Sequence, residues 1–188
     1  MKFIFDFDDV LFNNTKQFKE HMYMCLEKAG VSRNVAEKYY KEIRGGKFWL
    51  KKMLIHFSIQ ESLYEKILND SKNFINKELL NIIKKLGKVN CYIVTHGSEE
   101  WQRDKINRSG IDTFFSEIVV VSENKKEAIE KICVRHKDEK VIFIDDKAHH
   151  FKDLNFVKYP NLKIILYDEQ GLLKLKKEIK NEINFMFQ

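Results

Sequence analysis

The sequence contains few of the residues that interrupt regular secondary structure. Its 188 residues include one proline and seven glycines, so we expect long helices and strands joined by short loops. It also contains only three cysteines, which lie far apart and form no Cys-x-x-Cys pair. An odd number of scattered cysteines predicts reduced thiols that fill small spaces in the core. We therefore expect no disulfide framework and a cytoplasmic location.

Long apolar runs and dense charge clusters are also missing. No run approaches the length of a membrane span. Asp6, Asp8 and Asp9 interrupt the apolar start, so we expect no signal peptide. The net charge is +6, but lysine and glutamate alternate along the chain, a pattern typical of solvated helix faces. We expect no membrane partner, and nucleic acid is a weak candidate without a basic stripe. The positive charge favours a small phosphorylated substrate, and no pattern indicates an oligomeric state.

Five short apolar segments predict the strands of a parallel sheet. Most are nearly continuous apolar runs, which are typical of strands that are buried on both faces. From the second segment onward, helical patterns separate them, and this alternation indicates βαβ units with right-handed crossovers. We therefore predict an α/β, Rossmann-like fold with five parallel strands flanked by helices. The predicted strands are residues 2–7, 90–95, 117–121, 141–145 and 163–167, and the later helices are residues 98–109, 125–136, 147–158 and 171–183.

The stretch between the first two predicted strands has a different pattern. Residues 13–87 show helical periodicity and no convincing strand, although a crossover between parallel strands needs only about a dozen residues. We therefore predict that residues 13–87 form an inserted all-helical cap over the strand ends. Residues 1–12 and 88–188 would form the catalytic core. Within the insertion, we predict a helix ending at Gly30 and helices over residues 35–43, 48–57, 60–69 and 75–86.

Two carboxylates directly follow the first predicted strand. Asp6 and Asp8 are two residues apart, and side chains at this spacing lie on the same side of an extended chain. Acids that are held this close repel each other unless a positive charge lies between them. A divalent cation with oxygen ligands is the usual solution.

Polar groups also follow the next three predicted strands. In an open α/β sheet, ligands bind beyond the carboxyl ends of the strands. Acidic, hydroxyl and lysine groups at four strand ends are what a phosphoryl-binding site needs. Besides Asp6 and Asp8, the groups are Thr95 with His96 and Gly97, then Lys125 with Lys126, and finally Asp145 with Asp146.

As a set, these motifs resemble those of the haloacid dehalogenase-like superfamily. The segment Asp6-Phe7-Asp8-Asp9-Val10 resembles its first motif, and Ile93-Val94-Thr95-His96-Gly97 resembles the second. Lys125 in Asn124-Lys125-Lys126-Glu127 resembles the third, and Ile144-Asp145-Asp146-Lys147 resembles the fourth in its double-Asp form. The order and spacing of the motifs hold over the whole chain, and the helical insertion resembles the all-helical cap of the family.

The resemblance implies an aspartyl-phosphate mechanism. Asp6 would be the nucleophile that attacks phosphorus, and Asp8 would first protonate the leaving alcohol and then deprotonate water. Thr95 would hydrogen-bond a phosphoryl oxygen, while Lys125 would neutralise charge in the transition state. From the motif alone, Lys126 is an alternative to Lys125.

The resemblance also implies a Mg²⁺ site. Its ligands would be the side chain of Asp6, the backbone carbonyl of Asp8 and the Asp145-Asp146 pair. Asp146 is the expected direct ligand, and Asp145 is expected to lie behind the ligands without binding the ion itself. Mg²⁺ suits this set, because it binds few carboxylates together with waters and a phosphate oxygen. His149 and His150 are a poor chelating pair, since neighbouring residues on a helix do not share a face.

We predict that the substrate contacts come from two regions. His96, Gly97 and Lys126 lie beside the motifs, whereas Arg44 and Lys47 flank paired glycines in the predicted cap. Glycines let the backbone approach a ligand, and the two basic residues suit a phosphate or a carboxylate.

The expected activity is hydrolysis of a small phosphomonoester, either a nucleotide or a sugar phosphate. Family members that cleave carbon–halogen bonds need no proton donor at the position of Asp8, and the ATPases of the family carry Thr there. Two alternatives stay open: a phosphomutase acting on a sugar phosphate, and a module that binds a phosphorylated ligand or nucleic acid without hydrolysis.

Overall fold

The computed structural model describes residues 1–13, 15–43 and 49–186 and is built around a five-stranded parallel sheet. The order of the strands across the sheet is β3-β2-β1-β4-β5. The predicted Rossmann-like α/β fold is therefore confirmed. The strands are β1 (Lys2–Phe5), β2 (Cys91–His96), β3 (Glu117–Val121), β4 (Val141–Asp145) and β5 (Leu162–Leu166).

Helices connect and cover the strands. The segment between β1 and β2 contains α1 (Thr15–Lys28), α2 (Arg33–Ile43), α3 (Trp49–His56), α4 (Ser62–Asn69) and α5 (Lys77–Leu86). The later helices are α6 (Glu99–Ser109) after β2, α7 (Lys126–Arg135) after β3 and α8 (Gly171–Met186) after β5. In the described part of the chain, no helix combines the length and the apolar character that a membrane span requires.

The central strand shows why the strand segments are continuously apolar. Phe3 of β1 lies opposite Cys91 of β2 and Ile142 of β4. Alternate side chains of a strand point to opposite faces of the sheet. Accordingly, Phe3 and Phe5 belong to one buried apolar cluster, and Ile4 belongs to another. Since both faces are covered, the buried positions 3–5 of the strand all need apolar side chains.

The helices between β1 and β2 share a core with the sheet. Buried side chains of α1, α3 and α5, including Leu26, Leu50 and Ile83, belong to the same apolar cluster as Phe5 of β1. Fully burying one such side chain stabilises the fold by roughly 1.5–3 kcal/mol. The helical character of this stretch follows its sequence pattern, while its function as a cap stays a prediction. Arg44 and Lys47 lie outside the described residues.

The helix that was predicted over residues 147–158 is wrong. This segment forms only a 3₁₀ turn, Ala148–Phe151, followed by further turns. Side-chain acceptors compete with the helical hydrogen-bond pattern here. The backbone N–H of Lys147 donates to Asp145 Oδ1 at 2.8 Å, and that of Lys158 donates to Asn155 Oδ1 at 2.9 Å. The first bond holds the chain at the carboxyl end of β4, and the second forms a turn shortly before β5.

Candidate active site

A cavity of about 390 Å³ opens at the carboxyl ends of the central strands. The chain order reverses on the two sides of β1, and parallel α/β sheets bind ligands at such a switch point. Six of the predicted site residues line the cavity: Asp6, Asp8, Thr95, His96, Lys125 and Lys126. The fold thus brings together groups from three strand ends, the first and last of which are more than a hundred residues apart in the chain. Asp145 and Asp146 are not among the described residues that line it.

Asp6 is held firmly at the end of β1. Its side chain is 3 % exposed, and its backbone N–H donates to the Ile144 carbonyl of β4 at 2.9 Å. Asp6 Oδ1 accepts a 2.7 Å hydrogen bond from the Phe7 N–H and lies 2.8 Å from Lys125 Nζ. Burial raises the pKa of Asp6. Attraction by Lys125 opposes this increase, and repulsion from Asp145 adds to it. The single ammonium of Lys125 therefore does not offset the cost of burying ionised Asp6.

Lys125 joins Asp6 to Asp145. It directly precedes α7 and is 2 % exposed, and its ammonium lies 2.6 Å from Asp145 Oδ2. Lys126 is half-buried and lines the cavity. The structure therefore puts Lys125, rather than its neighbour, in contact with the predicted nucleophile. The catalytic functions of both lysines stay predictions.

Asp145 has donors on both of its oxygens. Oδ1 accepts the hydrogen bond from the backbone N–H of Lys147. Oδ2 accepts from Lys125 and lies 2.8 Å from His150 Nδ1. His149 and His150 both line the cavity. Burial lowers the pKa of His150 despite the attraction of Asp145, and a neutral ring that carries its proton on Nδ1 can donate to the carboxylate.

Asp146 has a different environment from its neighbour. Its side chain is 19 % exposed, yet Oδ1 is buried and has no hydrogen-bond partner in the described structure. Burial, reinforced by repulsion from Asp6 and Asp145, outweighs the attraction of Lys147 and raises the pKa of Asp146 to about 6. A buried oxygen that accepts no hydrogen bond lowers the stability of the folded protein. A bound cation would be a partner that removes this penalty.

The charges of the site fit a divalent cation. Carboxylate oxygens of Asp6 and Asp145 lie within 4.8 Å of each other and of a ring nitrogen of His150. The ammonium of Lys125 already bridges that pair of acids, so a cation there would have to displace it. A cation beside Asp146 would instead meet the oxygen that has no hydrogen-bond partner among the described residues and whose nearest cation, Lys147 Nζ, is 3.9 Å away, and it would relieve the repulsion between the acids. Hard oxygen ligands of this kind suit Mg²⁺.

A tight turn after Asp6 determines the position of Asp8. Asp9 has a positive φ of 59°, and its carboxylate accepts hydrogen bonds from the N–H and hydroxyl of Thr15 at 2.7 and 2.9 Å. The Phe12 N–H donates to the Phe7 carbonyl at 2.8 Å and closes the turn. Asp9 therefore joins the turn to the start of α1, and the carboxylate of Asp8 lies against α6.

Two side chains of α6 bind the carboxylate of Asp8. Lys105 Nζ contacts Asp8 Oδ1 at 2.5 Å, and Gln102 Nε2 donates to Asp8 Oδ2 at 2.8 Å. Both side chains are buried. Burial favours neutral Asp8, but the attraction and hydrogen bond of Lys105, with the hydrogen bond of Gln102, prevail and lower the pKa of Asp8. Asp8 is ionised in this arrangement.

Our sequence reasoning missed Gln102 and Lys105. Residues 102, 105, 106 and 109 are the buried positions of α6, and their spacing is that of one helix face. That face contains two long polar side chains, which are rarely buried without a partner. A lysine and a glutamine on the core face of the helix after the second motif were the signal that could have identified both residues.

The second motif contributes three residues with different environments. Thr95 is buried, and its hydroxyl lies 3.2 Å from Gln102 Nε2. His96 is exposed, and its Nε2 lies 3.2 Å from the Ser122 carbonyl. Gly97 has a φ of 152°, and a Cβ there would approach the side chain of Gln102 to 3.0 Å. Gly97 therefore gives Gln102 the space to contact both Asp8 and Thr95, although it does not line the cavity itself.

Comparisons with known proteins agree with the fold and the motifs. Residues 3–155 match the family model of haloacid dehalogenase-like hydrolases. A Burkholderia xenovorans protein described as a haloacid dehalogenase-like hydrolase is similar in structure, with 16% identity and a TM-score of 0.65 over 90% of this chain and 86% of that chain. A hydrolase from Streptococcus pneumoniae has 13% identity and a TM-score of 0.52, with 95% and 97% covered. A superfamily hydrolase from Ehrlichia chaffeensis has 20% identity and a TM-score of 0.50, with 97% of both chains covered. No curated protein matched the sequence.

Proposed function

Because the chain belongs to the haloacid dehalogenase-like hydrolases, we propose that it hydrolyses small phosphomonoesters, nucleotides or sugar phosphates, through an aspartyl-phosphate on Asp6. The observation that carries this proposal is that two aspartates line one cavity and that each is bound by a different set of side chains. Asp6 contacts Lys125, and Asp8 contacts Lys105 and Gln102. Phosphoryl transfer needs a nucleophile and a separate acid or base at this spacing. A carbon–halogen bond needs no proton donor when it breaks, so Asp8 favours a phosphate ester.

In the first half-reaction, a carboxylate oxygen of Asp6 attacks phosphorus and the bond to the leaving alcohol breaks. Lys125, which lies within 2.8 Å of Asp6, neutralises charge on the transferring group, and the hydroxyl of Thr95 donates to a phosphoryl oxygen. Asp8 gives its proton to the leaving oxygen. Lys105 opposes that protonation, whereas the negative charge of the bound phosphate favours it.

In the second half-reaction, water attacks the phosphorus of the aspartyl-phosphate. Asp8 is now a carboxylate and removes a proton from that water, and Asp6 leaves as a carboxylate. Although burial opposes it, Lys105 lowers the pKa of Asp8 and so keeps it in the carboxylate form that this step requires. Mg²⁺ held by Asp6, the Asp8 carbonyl and Asp146 would supply positive charge to the phosphoryl oxygens.

The direct test is phosphate release from an aryl phosphate, such as p-nitrophenyl phosphate, and from a panel of nucleotides and sugar phosphates. We expect turnover with Mg²⁺ that stops when a chelator is added and returns when Mg²⁺ is restored. No release from any member of the panel with Mg²⁺ present would contradict the proposal. Isomerisation of a sugar phosphate without net release would instead favour the phosphomutase alternative.

We expect Lys105→Met to affect substrates according to their leaving group. Lys105 positions Asp8, so its loss should lower kcat/KM, which reports the first half-reaction, by about 10²-fold for an alkyl phosphate, because an alkoxide needs a proton as it leaves. For p-nitrophenyl phosphate, whose leaving group needs little protonation, the loss should be several times smaller. The kcat/KM values of the variant and the wild type on the two substrates measure this ratio.

Arg103→Gln is the matched control for this prediction. Arg103 lies on the exposed side of α6 and pairs with Glu99, so its replacement should change both rates little. Equal losses on the two substrates in Lys105→Met would indicate a purely structural function of the lysine.

We expect Asp146→Asn to stabilise the protein without metal at pH 8. The folded pKa of about 6 lies above the ordinary value of 3.8, so ionised Asp146 disfavours the folded state. This penalty is absent below about pH 4, grows between about pH 4 and 6 and is complete above about pH 6, where it amounts to about 1–3 kcal/mol. Thermal unfolding at pH 4 and at pH 8 measures it.

The same variant tests the metal site. Mg²⁺ should raise the melting temperature of the wild type at pH 8, because a ligand that binds only the folded state stabilises it. In Asp146→Asn this increase should be absent or much smaller. Asp153→Asn is the control, since Asp153 is exposed and lines the same cavity. An unchanged Mg²⁺ response in Asp146→Asn would exclude Asp146 as a ligand.

A further inference from the structure

A second cavity of about 440 Å³ meets the first at Asp8 and Lys147, which line both. It extends between α1, α2 and α6, away from Asp6 and Thr95. In the proposed reaction the phosphoryl group is on Asp6 and the leaving oxygen is at Asp8. The rest of the substrate must therefore extend past Asp8, and this second cavity is the space available to it.

The walls of this cavity carry more positive than negative charge. Its charged lining residues are four lysines, at positions 16, 19, 105 and 147, and the two aspartates at positions 8 and 9. The carboxylate of Asp8 is bound by Lys105 and Gln102, and that of Asp9 is bound by Thr15. Lys105 thus neutralises Asp8, whereas the bonds from Thr15 satisfy the oxygens of Asp9 without neutralising its charge. The four lysines still outnumber the two aspartates of the lining, and the two on α1, Lys16 and Lys19, contribute to this positive surplus.

Aromatic side chains strengthen the effect of these lysines. Tyr40 and Trp101 line the cavity and are half-buried, with Phe12 and Phe18 buried behind them. The ammonium of Lys19 lies 4.0 Å from the centre of the Tyr40 ring. Contact with the ring holds Lys19 at the wall, and an apolar wall lowers the local dielectric, so the attraction between Lys19 and an anion is stronger than in open water.

We infer that the substrate is a phosphomonoester whose alcohol part carries a second anionic group, a carboxylate or another phosphate, which Lys19 and Lys16 bind. This inference rests on the proposed function, because the position of the leaving oxygen defines which cavity receives the alcohol. A charge-assisted hydrogen bond to such a group is worth about 1.5–3 kcal/mol, so it raises kcat/KM by about tenfold or more.

Three substrates that share one carbon chain test the inference: propyl phosphate, 3-phosphooxypropanoate and propane-1,3-diol bisphosphate. We expect kcat/KM for the last two to exceed that for propyl phosphate by about tenfold or more, with a preference that declines as salt is added. The better of the two identifies the second group as carboxylate or phosphate. Lys19→Met should remove most of the preference, and Lys19→Arg should keep it.

Lys28→Met is the matched control, since Lys28 is an exposed residue at the other end of α1. It should leave the preference unchanged. Equal kcat/KM for the three substrates in the wild type would overturn the inference while leaving the proposed hydrolysis intact.

Absence of turnover with all three substrates counts against the proposed function, and the inference is then decided by binding. Calorimetry with butylphosphonate and 4-phosphonobutanoate measures the same preference without chemistry. Tighter binding of the second compound, lost in Lys19→Met, supports the cavity as an anion site. Equal binding of the two phosphonates overturns it.

Discussion

Asp6→Asn is expected to lower phosphate release at least about 10³-fold, because removing a nucleophile eliminates the covalent route. Asn keeps an oxygen that accepts the hydrogen bonds from Phe7 and Lys125, so the geometry at the end of β1 should persist. The measurement is kcat on p-nitrophenyl phosphate with saturating Mg²⁺. Retention of more than about a tenth of the wild-type rate, a loss far below that of a missing nucleophile, would exclude Asp6 from this function.

The stability of the variant separates chemistry from folding. Burial raises the pKa of Asp6, so replacing its carboxylate with a neutral amide should remove little stabilisation. Asp145 lies 2.6 Å from Lys125, so the lysine should keep an ionic partner after the substitution. We therefore expect the metal-free variant to melt close to the wild type. A large decrease in the melting temperature would mean that the variant loses activity because it unfolds and not because the nucleophile is missing.

Lys125→Met should cause the largest loss of stability among the site variants. The ammonium of Lys125 lies within 2.8 Å of Asp6 and within 2.6 Å of Asp145, and both acids are almost fully buried. Removing one partner of a buried ion pair leaves an uncompensated charge and typically costs about 3–5 kcal/mol. The activity at a temperature where the variant is folded should also fall, by about 10²-fold or more, because charge on the phosphoryl group is no longer neutralised. Chemical denaturation and kcat measure the two effects.

Lys126→Met is the control for this variant. Lys126 is the next residue along the chain and lines the same cavity, but it is only half-buried. Its replacement should change stability within about 0.5 kcal/mol and should affect KM more than kcat. A larger loss of kcat in Lys126→Met than in Lys125→Met would reverse the assignment of the two lysines.

A double variant shows whether charge is the cause of the instability. Lys125→Met with Asp145→Asn removes one of the two stranded carboxylates, so it should be more stable than Lys125→Met alone. Two residues that share a contact are expected to couple by about 0.5–3 kcal/mol. If the loss of stability in the double variant equals the sum of the losses in the two single variants, the fold requires the packing of the lysine side chain rather than its charge.

The centre of the sheet was predictable because β1, β2 and β4 are buried on both faces. Such strands have continuous apolar sequences that end abruptly in polar residues, as at Phe5 and Asp6. The first strand was predicted to reach residue 7 and ends at Phe5, because the turn that positions Asp8 begins immediately after it. The carboxyl ends of parallel strands meet at one edge, so the same pattern also indicated which residues would share a cavity.

Contacts made by helix side chains were not predictable in the same way. The partners of Gln102 and Lys105 depend on how α6 packs against the turn after β1, which no local pattern encodes. The helix prediction for the segment after β4 was wrong for a related reason. Its composition is compatible with a helix, but hydrogen bonds to the side chains of Asp145 and Asn155 direct the chain into turns.

Capture of phosphate on Asp6 is the central claim and can be measured directly. The protein is mixed with substrate and Mg²⁺, quenched in acid and treated with borohydride, which reduces an aspartyl-phosphate to homoserine. Mass spectrometry of the N-terminal peptide should then show homoserine at position 6 in the wild type and none without substrate. A steady-state reaction that releases phosphate while position 6 stays unmodified, or that modifies another aspartate instead, would contradict the account.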